Sequence, residues 1–296
     1  MAKEVYWHLP GITVNFYLNQ VIIKMMRDHP ELFKDGYRIG SVYGTFPGAI
    51  WNGGRAVIGI TAKNEMEAIV KTYNAFDVPV RFTWTNSLIE EKHLNDTYCN
   101  LIMEIADNGF NQVLCNRPVL EDYLREKYPH FKYLSSTTKR IVDTKTLEEE
   151  LKKDYFLVVL DYDLNHDKEA LEAVKPYADR IEILVDEVCF PHCPKRVDHY
   201  KDESLMQLNF ERAKPYDCPN RKKKPSFDEC KKRPHFIGND ELPSYIEDGF
   251  VNFKIVGRGL PLDMVVDSYV YYLAKDEERE HVKEKIFTTL NKLMGK

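Results

Sequence analysis

The 296-residue chain has 43% hydrophobic and 30% charged residues, a composition that suits a folded protein with a sizeable core and excludes a disordered one. Its net charge of −5 excludes a global positive field for nucleic acid or an anionic membrane, although a local basic patch stays compatible with the composition. Polar residues interrupt the early apolar stretch from Ile12 to Met26, which excludes a membrane span there. Because no signal-peptide pattern opens the sequence, we expect a cytoplasmic protein that contacts no membrane.

Short β-rich runs alternate with longer helical patterns along the chain. The runs predict eight strands, at Glu4–Leu9, Tyr37–Gly44, Val78–Thr85, Asn111–Asn116, Lys132–Ser136, Tyr155–Leu160, Arg180–Val185 and Val251–Val256. The patterns between and after them predict helices at Ile12–Pro30, Lys63–Ala75, Leu88–Asn108, Pro118–Lys127, Leu147–Lys153, Lys168–Tyr177, Pro261–Ala274 and Glu277–Leu293.

This order of elements predicts the fold class. Eight strand–helix units in succession are what a closed parallel barrel needs, so we predict an α/β fold, a (β/α)8 TIM-type barrel in one domain over residues 1–296. An open doubly wound sheet is the alternative, and it normally has a glycine-rich phosphate turn after its first strand. Here the first strand ends in His8-Leu9-Pro10-Gly11, which is not such a turn.

The interval between the seventh and eighth predicted strands is much longer than the others, and long insertions in compact domains are usually functional or disordered. On a barrel, an insertion after a strand lies at the C-terminal face, where active sites form. Seven prolines in this interval predict little regular structure. The insertion, residues 189–248, carries four of the six cysteines of the chain: Cys189, Cys193, Cys218 and Cys230.

These four cysteines predict a metal site. In a reducing compartment, clustered cysteines are more often ligands than disulfides, and four thiolates hold either zinc or a 4Fe–4S cluster. Structural zinc usually takes two closely spaced pairs, whereas only Cys189 and Cys193 are closely spaced here, so the spacing favours 4Fe–4S. Zinc, or a set of buried thiols without metal, are the alternatives. Cys99 and Cys115 lie in predicted regular elements and are predicted to be core residues.

Charged residues follow the last two predicted strands. Asp186 and Glu187 come after the seventh strand, and Lys254 and Arg258 belong to the eighth strand and the loop after it, so all four are candidate catalytic residues at the barrel mouth. Lys254 and Arg258 together could hold a carboxylate or a phosphate. Two basic runs, residues 221–224 and 231–233, flank Cys230, and they are either a solvated surface or contacts to RNA phosphates.

The segment Glu247–Arg258, followed by a tyrosine-rich helix, resembles the collagenase-like peptidase family, U-32, and the strand that leads to Cys189 looks similar to that family's cluster-bearing strand. The resemblance implies iron–sulfur proteins of oxygen-independent hydroxylation that act on quinone precursors or RNA bases, rather than proteases. This chain departs from the family pattern: Val256 replaces a glutamate, Asp186-Glu187-Val188 replaces His-Gly-Ala, and the second cysteine follows the first by four residues instead of seven.

Together these features predict an iron–sulfur enzyme that modifies a small ring compound or an RNA base, for example by oxygen-independent hydroxylation. The alternatives are a non-catalytic binding or structural protein with a four-cysteine zinc or iron–sulfur site, and a peptidase, as the family name states.

Overall fold

A computed structural model of the chain describes residues 3–211, 226–293 and 295. Eight parallel strands close into one barrel in sequence order, so the predicted (β/α)8 TIM-type fold is confirmed. The strands are β1 (Val5–Pro10), β2 (Tyr37–Gly44), β3 (Val80–Trp84), β4 (Gln112–Cys115), β5 (Lys132–Ser135), β6 (Leu157–Val159), β7 (Ile181–Leu184) and β8 (Asn252–Lys254). β1 pairs with both β2 and β8, which closes the barrel.

Helices follow the strands and surround the barrel. Their bounds are α1 (Phe16–Asp28), α2 (Lys63–Asn74), α3 (Thr97–Ala106), α4 (Pro118–Lys127), α5 (Thr144–Leu151), α6 (Lys168–Val174), α7 (Arg196–Asn209), α8 (Phe227–Lys231), α9 (Leu242–Glu247), α10 (Leu262–Leu273) and α11 (Arg279–Leu293). In the part of the chain that is described, these helices are too short or too polar to cross a bilayer.

The long insertion between β7 and β8 differs from the sequence expectation. It contains the 14-residue helix α7 as well as α8 and α9. The prolines at positions 191 and 194 precede α7, and the next proline comes at position 215, so nothing interrupts helical hydrogen bonding within α7. The prediction of little regular structure is therefore wrong for this segment. Gln207 of α7 accepts hydrogen bonds from Asn52 (3.0 Å) and from the backbone N–H of Val57 (2.7 Å), which fix α7 on the barrel mouth.

The barrel strands alternate between residues that face the helices and residues that face the barrel interior. The outward residues, such as Trp7, Phe82 and Ile183, belong to one large apolar core shared with the helices. The inward residues of β4–β7 form a separate apolar cluster that includes Leu114, Leu134, Leu157, Val159 and Leu184. The inward residues on the opposite side are polar and buried, and they include His8, Ser41, Arg81, Asn252 and Lys254. Glu182 of β7 is also polar and buried, so the polar side of the barrel interior extends from β7 and β8 to β1–β3.

Candidate functional site

A small cavity opens at the carboxyl ends of the strands, where TIM-type barrels build ligand sites. Its volume is about 80 Å³. It therefore admits a small charged group, whereas a complete drug-sized ligand needs roughly 300 Å³ or more. The cavity lies where the two halves of the barrel interior meet, and its walls include Tyr43, Thr83, Leu114, Leu184, Lys254 and Arg258.

Arg258, in the loop after β8, is partly buried, and its guanidinium lines this cavity. Nη1 donates to Asn52 Oδ1 (3.1 Å) and Thr83 Oγ1 (2.9 Å), and Nη2 donates to the Gly53 carbonyl (3.2 Å). Burial lowers the pKa of Arg258 to about 10, so the group stays charged at neutral pH. Among the described residues, the groups that accept hydrogen bonds from the Arg258 side chain are all neutral. The cavity therefore presents a cation without a carboxylate partner.

The Gly53 carbonyl reaches Arg258 because the loop after β2 lies directly against the end of β3. A Cβ at Gly53 would lie 2.3 Å from the Thr85 carbonyl oxygen, a distance that no real side chain tolerates. Gly54 has φ of +75°, which favours glycine as well. This pair of glycines therefore allows the backbone to form one wall of the cavity.

Lys254 also lines the cavity, but it is buried deeper than Arg258. Its Nζ lies 3.1 Å from Glu182 Oε1 and 4.1 Å from the centroid of the Tyr43 ring. Burial, with the neighbouring cations Arg81 and Arg258, lowers the pKa of Lys254 to about 8, although Glu182 opposes these effects. Lys254 is therefore mostly protonated at neutral pH, but its pKa lies only slightly above that pH.

Beneath Lys254, a charged network fills the barrel interior. Glu182 of β7 forms a fully buried ion pair with Arg81 of β3, and His8 Nε2 lies 3.3 Å from Glu182 Oε2. Although burial opposes ionisation, Arg81 and Lys254 hold the pKa of Glu182 well below its usual value. Burial, with a contribution from Arg81, lowers the pKa of His8 to about 3, so the imidazole is neutral. Glu182 is therefore the carboxylate that balances two cations.

The sequence analysis did not select this network, although the sequence contains a signal for it. Arg81 and Glu182 are single charges within otherwise mostly apolar strands, Val80–Trp84 and Ile181–Leu184. In a barrel, such a residue at an inward position needs a partner of opposite charge inside, because an unpaired buried charge is costly.

Asp186 and Glu187, predicted together at the mouth, point to different places. Glu187 lines the cavity, and its Oε1 accepts a hydrogen bond from the Cys189 backbone N–H (3.1 Å). Asp186 lies behind the strand, where its carboxylate accepts hydrogen bonds from the Val256 N–H (2.7 Å) and the Ser268 hydroxyl (2.5 Å). Burial raises the pKa of Asp186 to about 7. Glu187, Lys254 and Arg258 thus meet at the cavity, and Asp186 supports the wall behind it.

The raised pKa of Asp186 predicts a pH-dependent stability. Between pH of about 4 and 7, the folded protein keeps a proton that the unfolded chain releases, so the free energy of unfolding falls as pH rises through this window, by on the order of 3–4 kcal/mol. Asp186→Asn is expected to remove this slope in urea unfolding measured at several pH values. Asp228→Asn, at an exposed aspartate, is the control and should keep the slope; equal slopes in wild type and Asp186→Asn would contradict the prediction.

Cys189 and Cys193 lie together in the loop that follows β7. Cys189 packs against the apolar cluster that includes Leu184. Burial, Glu187 and the nearby Cys193 raise the pKa of the Cys189 thiol to about 12. The Cys230 thiol is buried beside the same loop, where it donates to the Asp186 carbonyl (2.9 Å). Within residues 3–211 and 226–293, His, Cys, Asp and Glu side chains form no group of three or more that is arranged to hold a metal ion. The fourth predicted ligand, Cys218, lies outside the described residues.

Three buried side chains near this loop have polar atoms without a hydrogen-bond partner in the described part of the chain: Arg196 Nε and Nη1, Tyr162 Oη, and His235 Nδ1. The Arg196 guanidinium lies 3.9 Å from the Tyr162 ring centroid, and the backbone N–H of Arg196 donates to the Cys193 carbonyl (3.1 Å). His235 Nε2 is 2.8 Å from the Glu187 carbonyl oxygen. Unpaired buried polar atoms cost free energy. The sulfur atoms of an iron–sulfur cluster accept hydrogen bonds from N–H and O–H donors such as those of Arg196 and Tyr162, so these two side chains fit that group. The neutral His235 ring donates through Nε2, which leaves Nδ1 as an acceptor or a metal ligand.

The basic segment is described only in part, because residues 221–224 lie outside the described ranges. Lys231 Nζ lies 3.3 Å from Asp228 Oδ1, and Lys232 Nζ lies 2.6 Å from Glu229 Oε1. Both lysines therefore have acidic neighbours on α8. The contact with RNA phosphates stays a prediction.

A comparison with solved structures finds a protein of similar fold. No protein-family model matches the sequence, and a search of curated proteins finds no match. A solved structure described as the U32 peptidase Mk0906 superposes with a TM-score of 0.55 at 14% sequence identity, over 88% of this chain and 95% of that one. The resemblance to U-32 proteins found in the sequence therefore holds at the level of the fold.

Proposed function

We propose that this protein is an iron–sulfur enzyme that binds the anionic group of a small ring compound, or a phosphate of RNA, at the barrel mouth and modifies the adjoining ring. The observation that carries the proposal is Arg258, whose guanidinium lines a small cavity with neutral partners in the described structure. A guanidinium binds a carboxylate or a phosphate with two parallel hydrogen bonds. The anion would thus orient the rest of the substrate towards the rim.

The cysteines support the second half of the proposal. Cys189 and Cys193 lie on the loop whose Glu187 lines the same cavity. With Cys218 and Cys230 they would hold a 4Fe–4S cluster, which would supply electron transfer beside the bound substrate. Structural zinc held by the same four cysteines is the alternative, and it would fix the insertion without taking part in chemistry.

The matched structure is described as a peptidase. Ser136 and Thr138 line the mouth cavity here, and their hydroxyl oxygens lie 2.9 Å from each other. The described contacts of Ser136 include no histidine or lysine that would act as a base, as serine hydrolysis requires. We therefore favour binding of an anionic substrate over peptide hydrolysis.

Titration calorimetry with benzoate and with sulfate tests the proposal, since one is an aromatic carboxylate and the other a non-titrating analogue of phosphate. Arg258→Met is expected to weaken binding by about 2–3 kcal/mol, or roughly 30- to 150-fold, because the anion loses its charged partner. Arg38→Met, at an exposed arginine at the opposite end of the barrel, should bind like the wild type. The proposal fails if neither anion binds saturably, or if Arg258→Met binds as well as Arg38→Met.

A further inference from the structure

The barrel interior carries more positive than negative charge. Arg81, Lys254 and Arg258 lie one above the other towards the mouth, and Glu182 is the carboxylate that contacts two of them in the described structure. His8 is neutral, and Glu187 at the cavity adds a second carboxylate, so the three cations exceed the two carboxylates by one. An anion at the mouth would reduce that excess.

Lys254 is the cation of this column that most readily loses its proton. The groups that face it are His8 on β1, Tyr43 on β2, Arg81 on β3, Glu182 on β7, Glu187 in the loop after β7, and Arg258 in the loop after β8. Burial, Arg81 and Arg258 all oppose the ammonium, and Glu182 favours it. Its pKa of about 8 lies close to physiological pH, in contrast to that of Arg258.

Lys254 and Arg258 also share one aromatic neighbour. The Lys254 ammonium lies 4.1 Å and the Arg258 guanidinium carbon 5.7 Å from the centroid of the Tyr43 ring, and the Tyr43 hydroxyl is fixed by donating to the Ile255 carbonyl (2.7 Å). All three side chains line the same cavity. An anion that contacts Arg258 therefore lies within the electrostatic reach of Lys254.

We propose that Lys254 is the pH-dependent second cation of the mouth, so that an anion bound at Arg258 draws a proton onto Lys254. This inference rests on the proposed function, because it takes the mouth cavity to be an anion site. The anion adds a negative charge near a cation whose carboxylate partner in the described structure is Glu182, so the protonated form of Lys254 becomes more stable in the complex than in the free protein. By linkage, the same coupling makes the anion bind more tightly to protein with a charged Lys254.

The expected result is an affinity that depends on pH above about 8. Benzoate and sulfate keep a constant charge between pH of about 6.5 and 9.5, so a change in their affinity reports on the protein. Affinity should fall by up to roughly tenfold for each pH unit above the pKa of Lys254. Calorimetry in buffers with different ionisation enthalpies should detect the uptake of a proton on binding at about pH 8.5.

Asp186 is the other buried group that titrates nearby, with a pKa of about 7. All profiles are therefore also measured in Asp186→Asn, where only the change above pH of about 8 should remain. Lys254→Met is expected to give a weaker affinity that does not change with pH above about 8, and it leaves Glu182 paired with Arg81. Lys132→Met, at the amino end of β5 at the opposite face, is the matched control and should keep the wild-type profile. Should Lys254→Met unfold, proton uptake by wild type and Asp186→Asn still decides the question.

The outcomes separate this inference from the proposed function. Saturable binding with the same affinity at every pH and no proton uptake would overturn the role of Lys254 and leave the anion site standing. Saturable binding with a wild-type pH profile in Lys254→Met would overturn it too. The absence of saturable binding by either anion at any pH would overturn the proposed function, and this inference with it.

Discussion

The variant Cys189→Ala, purified without oxygen, is expected to lack most of the iron and sulfide of the wild type, together with its brown colour. The proposed cluster needs all of its ligands, and its binding contributes to the folding of the insertion that carries them. The same loss is expected for Cys193→Ala, Cys218→Ala and Cys230→Ala. Iron and acid-labile sulfide per chain are the measurements.

Cys99→Ala and Cys115→Ala are the matched controls, because both thiols are buried in the core and burial raises the pKa of each. They should keep their iron and lose only packing energy, on the order of 1 kcal/mol or somewhat more. Retention of iron in Cys230→Ala alone would indicate another fourth ligand, with His235 as the candidate, since its Nδ1 has no partner among the described residues. Retention in all six variants, or colourless protein with stoichiometric zinc, would exclude the cluster.

The substitution Glu182→Leu is expected to destabilise the protein by about 3–5 kcal/mol. This is the largest effect on folding that we predict for a single substitution. The substitution leaves Arg81 without its carboxylate partner inside the barrel. Removing one partner of a buried ion pair lowers the free energy of unfolding by about this amount, because the other charge stays buried without a partner. Lys254 loses the same carboxylate, but it can release its proton because its pKa is already low. Urea unfolding at neutral pH measures the change.

The double variant Arg81→Met with Glu182→Leu separates the ion pair from simple loss of side chains. Replacing both members removes the unpaired charge, so the double variant should be less destabilised than the sum of the two single variants, by an interaction energy of about 1–3 kcal/mol. Glu91→Leu, at an exposed glutamate, should change stability by less than about 0.5 kcal/mol. Additive effects of Arg81→Met and Glu182→Leu would contradict the network described here.

Local sequence patterns predicted many element bounds because the relevant forces act between near neighbours. β2 (Tyr37–Gly44) and α4 (Pro118–Lys127) have the predicted bounds. The helix predicted at Leu88–Asn108 begins only at Thr97, where the side chain of Asp96 accepts a hydrogen bond from the Cys99 N–H (2.7 Å). The residues before Asp96 form turns and a short 3-10 helix instead. The first backbone N–H groups of a helix have no partner within the helix, and the Asp96 side chain supplies one, which favours a helix start at this position.

The sequence by itself determined the alternation of strands and helices, the barrel, and the place of the long insertion after β7, since hydrophobic periodicity is a property of adjacent residues. It also indicated that Glu187, Lys254 and Arg258 lie at or just beyond the carboxyl ends of barrel strands, and the structure brings these three to one cavity. Only the tertiary structure decided which charges are paired. Arg81 and Glu182 are 101 positions apart and meet because the barrel closes. Asp186 turns away from its neighbour Glu187 because adjacent positions at the end of a strand face opposite sides, and burial then decides their charge.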